Sequence, residues 1–372
     1  MTFDFDAPVD RAGTWSTRWD RYADRDVIAL WVADTDFRTA PAVLQAFAER
    51  IEHGVFGYST VPKALVEAIV ERLARLYRWR IEPSWIVFLP GVVPGLHHAA
   101  RVLLPPGGHV TLPVPVYHHL KRAPELAPRA FTEVPLVLER GRWVFDEDAL
   151  KKSATKGLFY LCNPQNPGGT VFRRDELSRI GELTRGAVIV SDEIHCDLIL
   201  DAGLQHVPIA SLSPELSRRT VTLMSPNKSF NFPAAGAAWA IIEDPGLRKA
   251  FSAELDAHVL PSPSVFGTIA ALAAYRGGDE WLAAQLDYLR GNRDLVEQTV
   301  GLPMAHVEAT YLAWIDCSGL GVKDPQAHFL ENGVALSPGS QFGDPRFVRL
   351  NFGTQRKILE KALRRIAASI KA

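Results

Sequence analysis

Cysteine is scarce in this chain, which has Cys162, Cys196 and Cys317 among 372 residues and contains no C-x-x-C pair. That scarcity excludes a disulfide framework and a structural zinc site built on paired cysteines. A charge of one sign is also missing, because 41 Lys and Arg residues face 42 Asp and Glu residues. A balanced chain lacks the electrostatic footprint of a nucleic-acid binder, so we expect no nucleic-acid partner.

Long apolar runs are absent as well. The longest stretches, such as residues 265–275, are too short to cross a bilayer and contain Gly267 and Thr268. The first residues, Met-Thr-Phe-Asp-Phe-Asp, lack the basic and apolar segments of a signal peptide. We therefore predict a cytoplasmic protein with no membrane partner. Its length is enough for about two to three domains.

Short apolar runs that end in polar residues organise the chain. Five such runs cover residues 86–89, 109–112, 158–162, 187–190 and 221–224. Continuous apolar runs of this length are typical of strands buried on both faces of a largely parallel sheet.

Stretches with helical periodicity alternate with these runs, at residues 62–77 and 175–183 and again at the end of the chain, 356–372. Strands that alternate with helices indicate βαβ units and an α/β fold. Apolar and alternating segments at 310–316 and 347–352 predict a second, smaller mixed domain.

The ends of the predicted strands carry the candidate functional residues, because ligands of open α/β sheets bind beyond the carboxyl ends of the strands. The polar, aromatic and glycine residues found there are Gly91, Tyr117, Asn163, Asn166, Asp192, His195, Ser225 and Lys228. This set does not match a zinc site or a Ser–His–Asp triad. It favours an organic cofactor that has a ring, a phosphate and a carbonyl group.

Each of these residues, taken singly, also has an ordinary structural interpretation. Lys228 could form a Schiff base or could be a surface-loop lysine. Asp192 could hold a protonated pyridine nitrogen or cap a turn. Asn166 could donate to a phenolic oxygen or serve the turn around it. Tyr117 could stack on a ring or pack at the rim of the core. The residues alone leave these alternatives open.

Four motifs occur in a set order along the chain. They are Asn-Pro-x-Asn-Pro-Gly-Gly (163–169), Ser-Asp-Glu-Ile-His (191–195), Ser-Pro-Asn-Lys (225–228) and Arg-Leu-Asn-Phe (349–352). Together they resemble the pyridoxal-phosphate enzymes of the aspartate-aminotransferase fold. Trp-Val-Ala-Asp-x-Asp-Phe (31–37) and Phe-Gly-Tyr, which ends at Tyr58, are similar to the MalY/PatB branch of cystathionine β-lyases and C–S lyases.

The resemblance implies the fold of type I pyridoxal-phosphate transferases. A large α/β domain, residues 46–284, would contain a mostly parallel, mixed seven-stranded sheet flanked by helices. A smaller α+β domain would combine residues 1–45 and 285–372.

The resemblance also implies a role for each residue around the cofactor ring. Lys228 would form the Schiff base with pyridoxal phosphate and shuttle protons. Asp192 would hold the pyridine N–H, and Tyr117 would stack on the ring. Asn166 and His195 would contact the ring oxygen.

The phosphate and the substrate would be held by a second set of residues. The resemblance implies that the phosphate is bound by the backbone N–H groups of Gly91 and Val92 and by the hydroxyl of Ser225. Tyr58 would reach the cofactor of a neighbouring subunit, which implies a homodimer. Arg349 would clamp the α-carboxylate of an amino-acid substrate, beside Ala33 and Asp34.

Three positions depart from the pattern that the resemblance implies. Gly236 stands eight residues after Lys228, where aminotransferases commonly place a phosphate-binding arginine. Thr35 and Asn227 replace the usual methionine and serine of their motifs. None of these changes removes a residue that Schiff-base chemistry needs.

The resemblance predicts β-elimination, in which an S-substituted cysteine gives a thiol, pyruvate and ammonia. An aminotransferase is the first alternative, because it shares the same residues and differs in where the last proton is delivered. The second alternative is a cofactor-bearing protein whose main role is regulation or binding. A specialised β-replacement or cyclisation also stays open.

Overall fold

The computed structural model describes residues 3–153, 156–256 and 261–371. Met1 and Thr2, which belong to the start where we predict no signal peptide, lie outside the described residues. Ala372, the end of the predicted last helix, lies outside them too.

The described helices are α1 (Pro41–His53), α2 (Lys63–Tyr77), α3 (Val92–Val102), α4 (His118–Leu126), α5 (Glu147–Ser153), α6 (Arg174–Leu183), α7 (Pro214–Arg218), α8 (Pro245–Asp256), α9 (Val265–Gly277), α10 (Asp279–Thr299), α11 (Pro325–Glu331) and α12 (Arg356–Ile370). The described strands are β1 (Ile28–Ala29), β2 (Ile86–Leu89), β3 (His109–Val114), β4 (Ala130–Glu139), β5 (Arg142–Phe145), β6 (Gly157–Cys162), β7 (Ala187–Asp192), β8 (Thr220–Met224), β9 (Ala238–Ile241), β10 (Leu312–Asp316), β11 (Val334–Ala335), β12 (Ser337–Pro338) and β13 (Phe347–Asn351).

One large sheet carries its strands in the order β2-β9-β8-β7-β6-β3-β4-β5. The five neighbours from β8 to β4 are parallel, whereas β9, β2 and β5 pair antiparallel with their neighbours. The predicted α/β class with a mostly parallel, mixed sheet is confirmed. The sheet has eight strands where we predicted seven, because β4 and β5 form a hairpin at its edge. Arg140 and Gly141 both have positive φ there, as type I′ hairpin turns require.

The five apolar runs all form strands of this sheet. Every residue of β8 is buried, and so is every residue of β6 except its first. Burying one large apolar side chain stabilises the fold by about 1.5–3 kcal/mol, so unbroken apolar runs favour the centre of a covered sheet. β2 differs from the others, because it lies at an edge and pairs antiparallel with β9.

Two small sheets lie outside the large one, and the first of them combines segments from the beginning and the end of the chain. β1 pairs in parallel with β11, and β13 lies between β10 and β12 in an antiparallel sheet. The register places Arg349 opposite Trp314 on one side and Ser337 on the other. The smaller mixed region predicted around residues 310–352 therefore holds Arg349 on its central strand.

The two predicted domain boundaries fall inside helices. Residue 46 lies within α1 and residue 284 within α10, so continuous helices join the parts that we assigned to separate domains. The division at these residues stays a prediction.

The described residues provide no candidate membrane span and no candidate metal site. None of the helices there combines the length and the apolar character that crossing a membrane requires. Across residues 3–153, 156–256 and 261–371, no group of three or more His, Cys, Asp or Glu side chains is placed to hold a metal ion.

Candidate active site

A cavity of about 220 Å³ lies at the carboxyl ends of the parallel strands. The predicted site residues that line it are Ala33, Val92, Tyr117, Asn166, Asp192, His195, Lys228 and Arg349. Parallel strands end at one edge of the sheet, so the residues that follow β3, β6, β7 and β8 meet there. The predicted residues Gly91, Ser225, Asp34 and Tyr58 do not line this cavity.

Lys228 follows β8 and places its amine in the cavity. Its Nζ donates a hydrogen bond to the carbonyl oxygen of Ala33 at 2.6 Å. Desolvation lowers the pKa of Lys228 to about 8 and Arg349 acts in the same direction, while Asp34 and Asp192 oppose the shift. An amine with this pKa is partly neutral near neutral pH, the form in which it acts as a nucleophile or a base.

Asp192 is the last residue of β7 and is 3% exposed. Its Oδ1 accepts a hydrogen bond from the N–H of Ile194 at 3.2 Å. Burial raises the pKa of Asp192 to about 7 and Glu193 adds to this, whereas Lys228 opposes it. A cationic group placed against this carboxylate would stabilise its charged form, which is the interaction that a protonated pyridine nitrogen offers.

His195 and Tyr117 border the cavity as neutral side chains. Burial, Lys228 and Arg349 lower the pKa of His195 to about 3, so its imidazole is uncharged at neutral pH. Its Nδ1 is buried and has no hydrogen-bond partner among the described residues. Burial raises the pKa of Tyr117 to about 12, so the ring keeps its hydroxyl proton. Two neutral side chains, one of which has a free hydrogen-bonding nitrogen among the described residues, suit a polar aromatic ligand.

Arg349 lies on β13 and is 4% exposed. Its guanidinium donates to Oδ1 of Asn166 at 3.0 Å and to the carbonyl oxygen of Trp31 at 3.0 Å. Burial lowers the pKa of Arg349 to about 10, which leaves it charged at neutral pH. Within the described ranges its hydrogen bonds go to neutral groups, so this cation can accept a ligand carboxylate.

The predicted phosphate residues surround the beginning of α3. Gly91 precedes this helix and Val92 is its first residue, so N–H groups at the helix N-terminus are available to an anion. Ser225 has other partners, because its Oγ donates to the carbonyl oxygen of Ala237 at 2.6 Å and accepts from the N–H of Asn227 at 3.1 Å.

Gly236 lies close to the same region. Its φ is +68°, and a Cβ atom there would come within 3.1 Å of the carbonyl oxygen of Pro90. An arginine at this position would adopt a strained left-handed backbone and crowd the segment that leads into α3. The local backbone therefore accounts for a glycine at the position where the resemblance places an arginine.

Asp34 and Tyr58 lie outside the cavity wall for different reasons. The carboxylate of Asp34 pairs with Arg11 at 2.7 Å and with Arg18 at 3.5 Å. It therefore acts on Lys228 through its charge. Tyr58 is fully exposed, on a segment between α1 and α2.

Residues 25–366 match the aminotransferase class I and II family over almost the whole chain. The chain belongs to this family. Among its curated relatives is cystathionine β-lyase PatB of Bacillus subtilis (strain 168), which is 35% identical over 98% of this chain and 99% of its own length.

Solved structures of family members superpose closely on this chain. The crystal structure of OvoB has a TM-score of 0.96 and 45% identity, with all of both chains covered. The pyridoxal-phosphate-bound C–S lyase of Staphylococcus hominis has a TM-score of 0.92 and 28% identity, covering 100% of this chain and 99% of that one. The recognition of a pyridoxal-phosphate enzyme family from the sequence is confirmed.

Some residues that line or border the cavity were not among the site residues predicted from the sequence. Trp31, His118, Ser337 and Gln341 line it, and Tyr311 packs its ring edge against His195 with 6.1 Å between ring centroids. Trp31 begins the motif of residues 31–37 but received no role of its own in the prediction, and the other residues carry no distinctive local signature. They come together only because the fold brings distant segments of the chain to one cavity.

A larger groove of about 760 Å³ lies elsewhere, between the β4–β5 hairpin and α6. Arg179, which lines this groove, pairs with Glu147 on the groove wall at 2.9 Å and with Glu182 at 3.0 Å. The smaller cavity, which gathers Lys228 and Arg349, is the candidate active site.

Proposed function

We propose that this chain is a pyridoxal-phosphate-dependent C–S β-lyase. It would cleave S-substituted cysteines to a thiol, pyruvate and ammonia. One observation carries the proposal: the amine of Lys228, with its pKa lowered to about 8, shares a cavity with the guanidinium of Arg349 and the buried carboxylate of Asp192. The similarity to a cystathionine β-lyase and to a C–S lyase supports the choice of reaction.

The residues present fit the cofactor. Asp192 offers a carboxylate for the ring nitrogen, and His195 offers a buried nitrogen, without a partner among the described residues, for a polar group of the ring. Tyr117 offers an aromatic face, and the N-terminus of α3 offers N–H groups for the phosphate. When bound, pyridoxal phosphate supplies an electron sink that stabilises negative charge at the substrate α-carbon.

Lys228 is the proton carrier in this arrangement. Its desolvated amine is partly neutral near pH 7 and 8, so it can accept the proton of the substrate α-carbon. Arg349 would hold the substrate by its carboxylate in the same cavity as the amine of Lys228. The protein thus supplies binding, orientation and proton transfer.

The decisive experiment is a product screen over cystathionine, djenkolic acid and other S-substituted cysteines. We expect equimolar pyruvate and thiol from at least one thioether, with no 2-oxo acid required as a second substrate. Incubation of an amino acid with a 2-oxo acid serves as the comparison. Amino exchange between these two, with no pyruvate from any thioether, would establish the aminotransferase alternative instead.

We further propose that the chain works as a homodimer in which Tyr58 contacts the partner's cofactor. The segment around Tyr58 supports this, because Ile51, Val55 and Phe56 are also more than half exposed. Contiguous exposed apolar side chains are typical of protein–protein interfaces.

Mixing two inactive variants tests the dimer. A chain with Lys228→Ala and a chain with Tyr58→Ala are refolded together. If Tyr58 acts on the partner's cofactor, each mixed dimer contains one intact site, and we expect about a quarter of the wild-type activity per chain when half of the dimers are mixed. Each variant refolded alone is the control. No recovery in the mixture, with mixed dimers demonstrated by mass, would contradict the shared site.

Cytoplasmic location and the absence of a nucleic-acid partner complete the proposal. The three cysteines, Cys162, Cys196 and Cys317, are free and buried, as expected for a protein of a reducing compartment.

A further inference from the structure

One backbone carbonyl lies between the reactive amine and a buried phenol. The carbonyl oxygen of Ala33 accepts a hydrogen bond from Nζ of Lys228 at 2.6 Å and another from the hydroxyl of Tyr311 at 3.1 Å. Tyr311 is 1% exposed. The mechanism described above uses neither Tyr311 nor this carbonyl.

A strained backbone holds Tyr311 in place. Thr310 has φ of +75°, which is rare for a β-branched residue and costs about 1–3 kcal/mol. Two hydrogen bonds secure it, from its N–H to the carbonyl of Leu198 at 2.8 Å and from the N–H of Leu312 to its Oγ1 at 3.1 Å. Strain of this kind persists only where the surroundings enforce it, so the orientation of Tyr311 is well determined.

The segment that carries Ala33 is held from both sides. Asn351 donates to the carbonyl of Asp34 at 2.6 Å, and Arg18 donates to the same carbonyl at 3.0 Å. Arg18 is fully buried and also pairs with Asp36 at 3.0 Å. The Ala33 carbonyl is therefore a fixed acceptor on the wall of the cavity.

We propose that Tyr311 is a positioning residue for Lys228: its hydroxyl fixes the Ala33 carbonyl, which holds the amine whenever that amine is not covalently bound. The inference rests on the proposed function, because a free amine in a set position is needed when the substrate has replaced Lys228 on the cofactor. Burial raises the pKa of Tyr311 far above its usual value, so the phenol remains a donor throughout.

The proposal predicts how the amine titrates. The titratable groups that face Lys228 in the cavity or next to it are Asp34, Tyr117, His118, Cys162, Asp192, His195, Tyr311 and Arg349. The hydroxyl of Tyr311 donates a hydrogen bond to the Ala33 carbonyl oxygen. This makes the oxygen a weaker acceptor for the ammonium form of Lys228. Without the Tyr311 hydroxyl, the Ala33 carbonyl accepts its side-chain hydrogen bond from Lys228 alone. The ammonium form is then stabilised and the pKa of Lys228 rises.

The test labels the full chain, freed of cofactor, with trinitrobenzenesulfonate across a range of pH. Mass spectrometry follows modification of Lys228, whose midpoint should lie near pH 8 in the wild type. In Tyr311→Phe we expect the midpoint to rise by about half a unit to one unit, because the Ala33 carbonyl then stabilises the ammonium form of Lys228 more strongly than in the wild type. Tyr160→Phe is the matched control, since the buried Tyr160 donates to the carbonyl of Leu96 at 2.7 Å and does not line the cavity.

Steady-state kinetics of the cofactor-loaded proteins provide the second measurement. At pH 7 we expect kcat of Tyr311→Phe to fall about three- to tenfold, with KM within twofold of the wild type, because the neutral fraction of the amine falls by the same factor. An unchanged labelling midpoint would overturn the proposal. So would a Tyr311→Phe chain that fails to fold while Tyr160→Phe folds, since this would make the hydroxyl structural. A shifted midpoint in a protein that cleaves no thioether would refute the proposed function alone.

Discussion

Substituting Lys228 by alanine is expected to abolish thioether cleavage, with a loss of about 10⁴-fold or more. The variant loses both the covalent attachment of the cofactor and the acceptor for the α-proton. The amine of Lys228 lies 2.6 Å from the Ala33 carbonyl, and no other lysine lines the cavity among the described residues. No remaining side chain can therefore take over both tasks. Activity is measured as pyruvate release from a thioether that the wild type cleaves.

Borohydride reduction followed by peptide mapping gives an independent readout of the same substitution. It should fix pyridoxal phosphate on Lys228 of the wild type and leave Lys228→Ala unlabelled. Lys249→Ala is the control, because Lys249 is exposed on α8 and does not line the cavity. A Lys228→Ala protein with activity within tenfold of the wild type would contradict the assignment. A biological effect of the protein that survives this change would favour the regulatory alternative.

Replacing Arg349 by alanine is expected to raise KM for the amino-acid substrate about 100-fold, because charge-assisted hydrogen bonds worth about 3 kcal/mol are lost. Arg349→Lys should recover only part of this loss, since an ammonium keeps the charge but not the paired donors of guanidinium. Initial rates over a wide range of substrate concentrations measure both variants.

A substrate analogue without the α-carboxylate separates carboxylate binding from a general loss of structure. The wild type should bind this analogue poorly, and Arg349→Ala should bind the substrate and the analogue about equally. Arg346→Ala is the matched control, because Arg346 precedes β13, is exposed and pairs with Asp344 at 2.6 Å. If Arg349→Ala still prefers the carboxylate-bearing substrate as strongly as the wild type does, the assigned role is wrong.

The sequence was informative wherever neighbouring residues decide the structure. The apolar runs predicted the buried strands, and residues 86–89 correspond to β2 from the first residue to the last. The strand ends predicted which residues would meet, since Tyr117, Asn166, Asp192 and Lys228 all line one cavity. Parallel strands that end at one edge bring such residues together whatever the details of packing.

The sequence was less informative where a side chain had several possible partners. That Ser225 binds phosphate stays a prediction, and the structure adds that its hydroxyl donates to the carbonyl of Ala237 and accepts from the N–H of Asn227. The eighth strand was missed because β5 has only four residues and its register depends on the turn before it. Local propensity does not decide between such partners.

By itself, the sequence determined the α/β class, the cofactor family and the residue types available at the strand ends. Only the tertiary structure decided that Ala33 lies against Lys228, 195 residues away, and that Arg349 contacts Asn166 across 183 residues. It also placed Tyr311 on the same carbonyl as Lys228, 278 residues from Ala33. The physical reason is that strands and turns form from neighbouring residues, whereas these contacts join segments about 180 or more residues apart, which only the packing of the whole chain brings together.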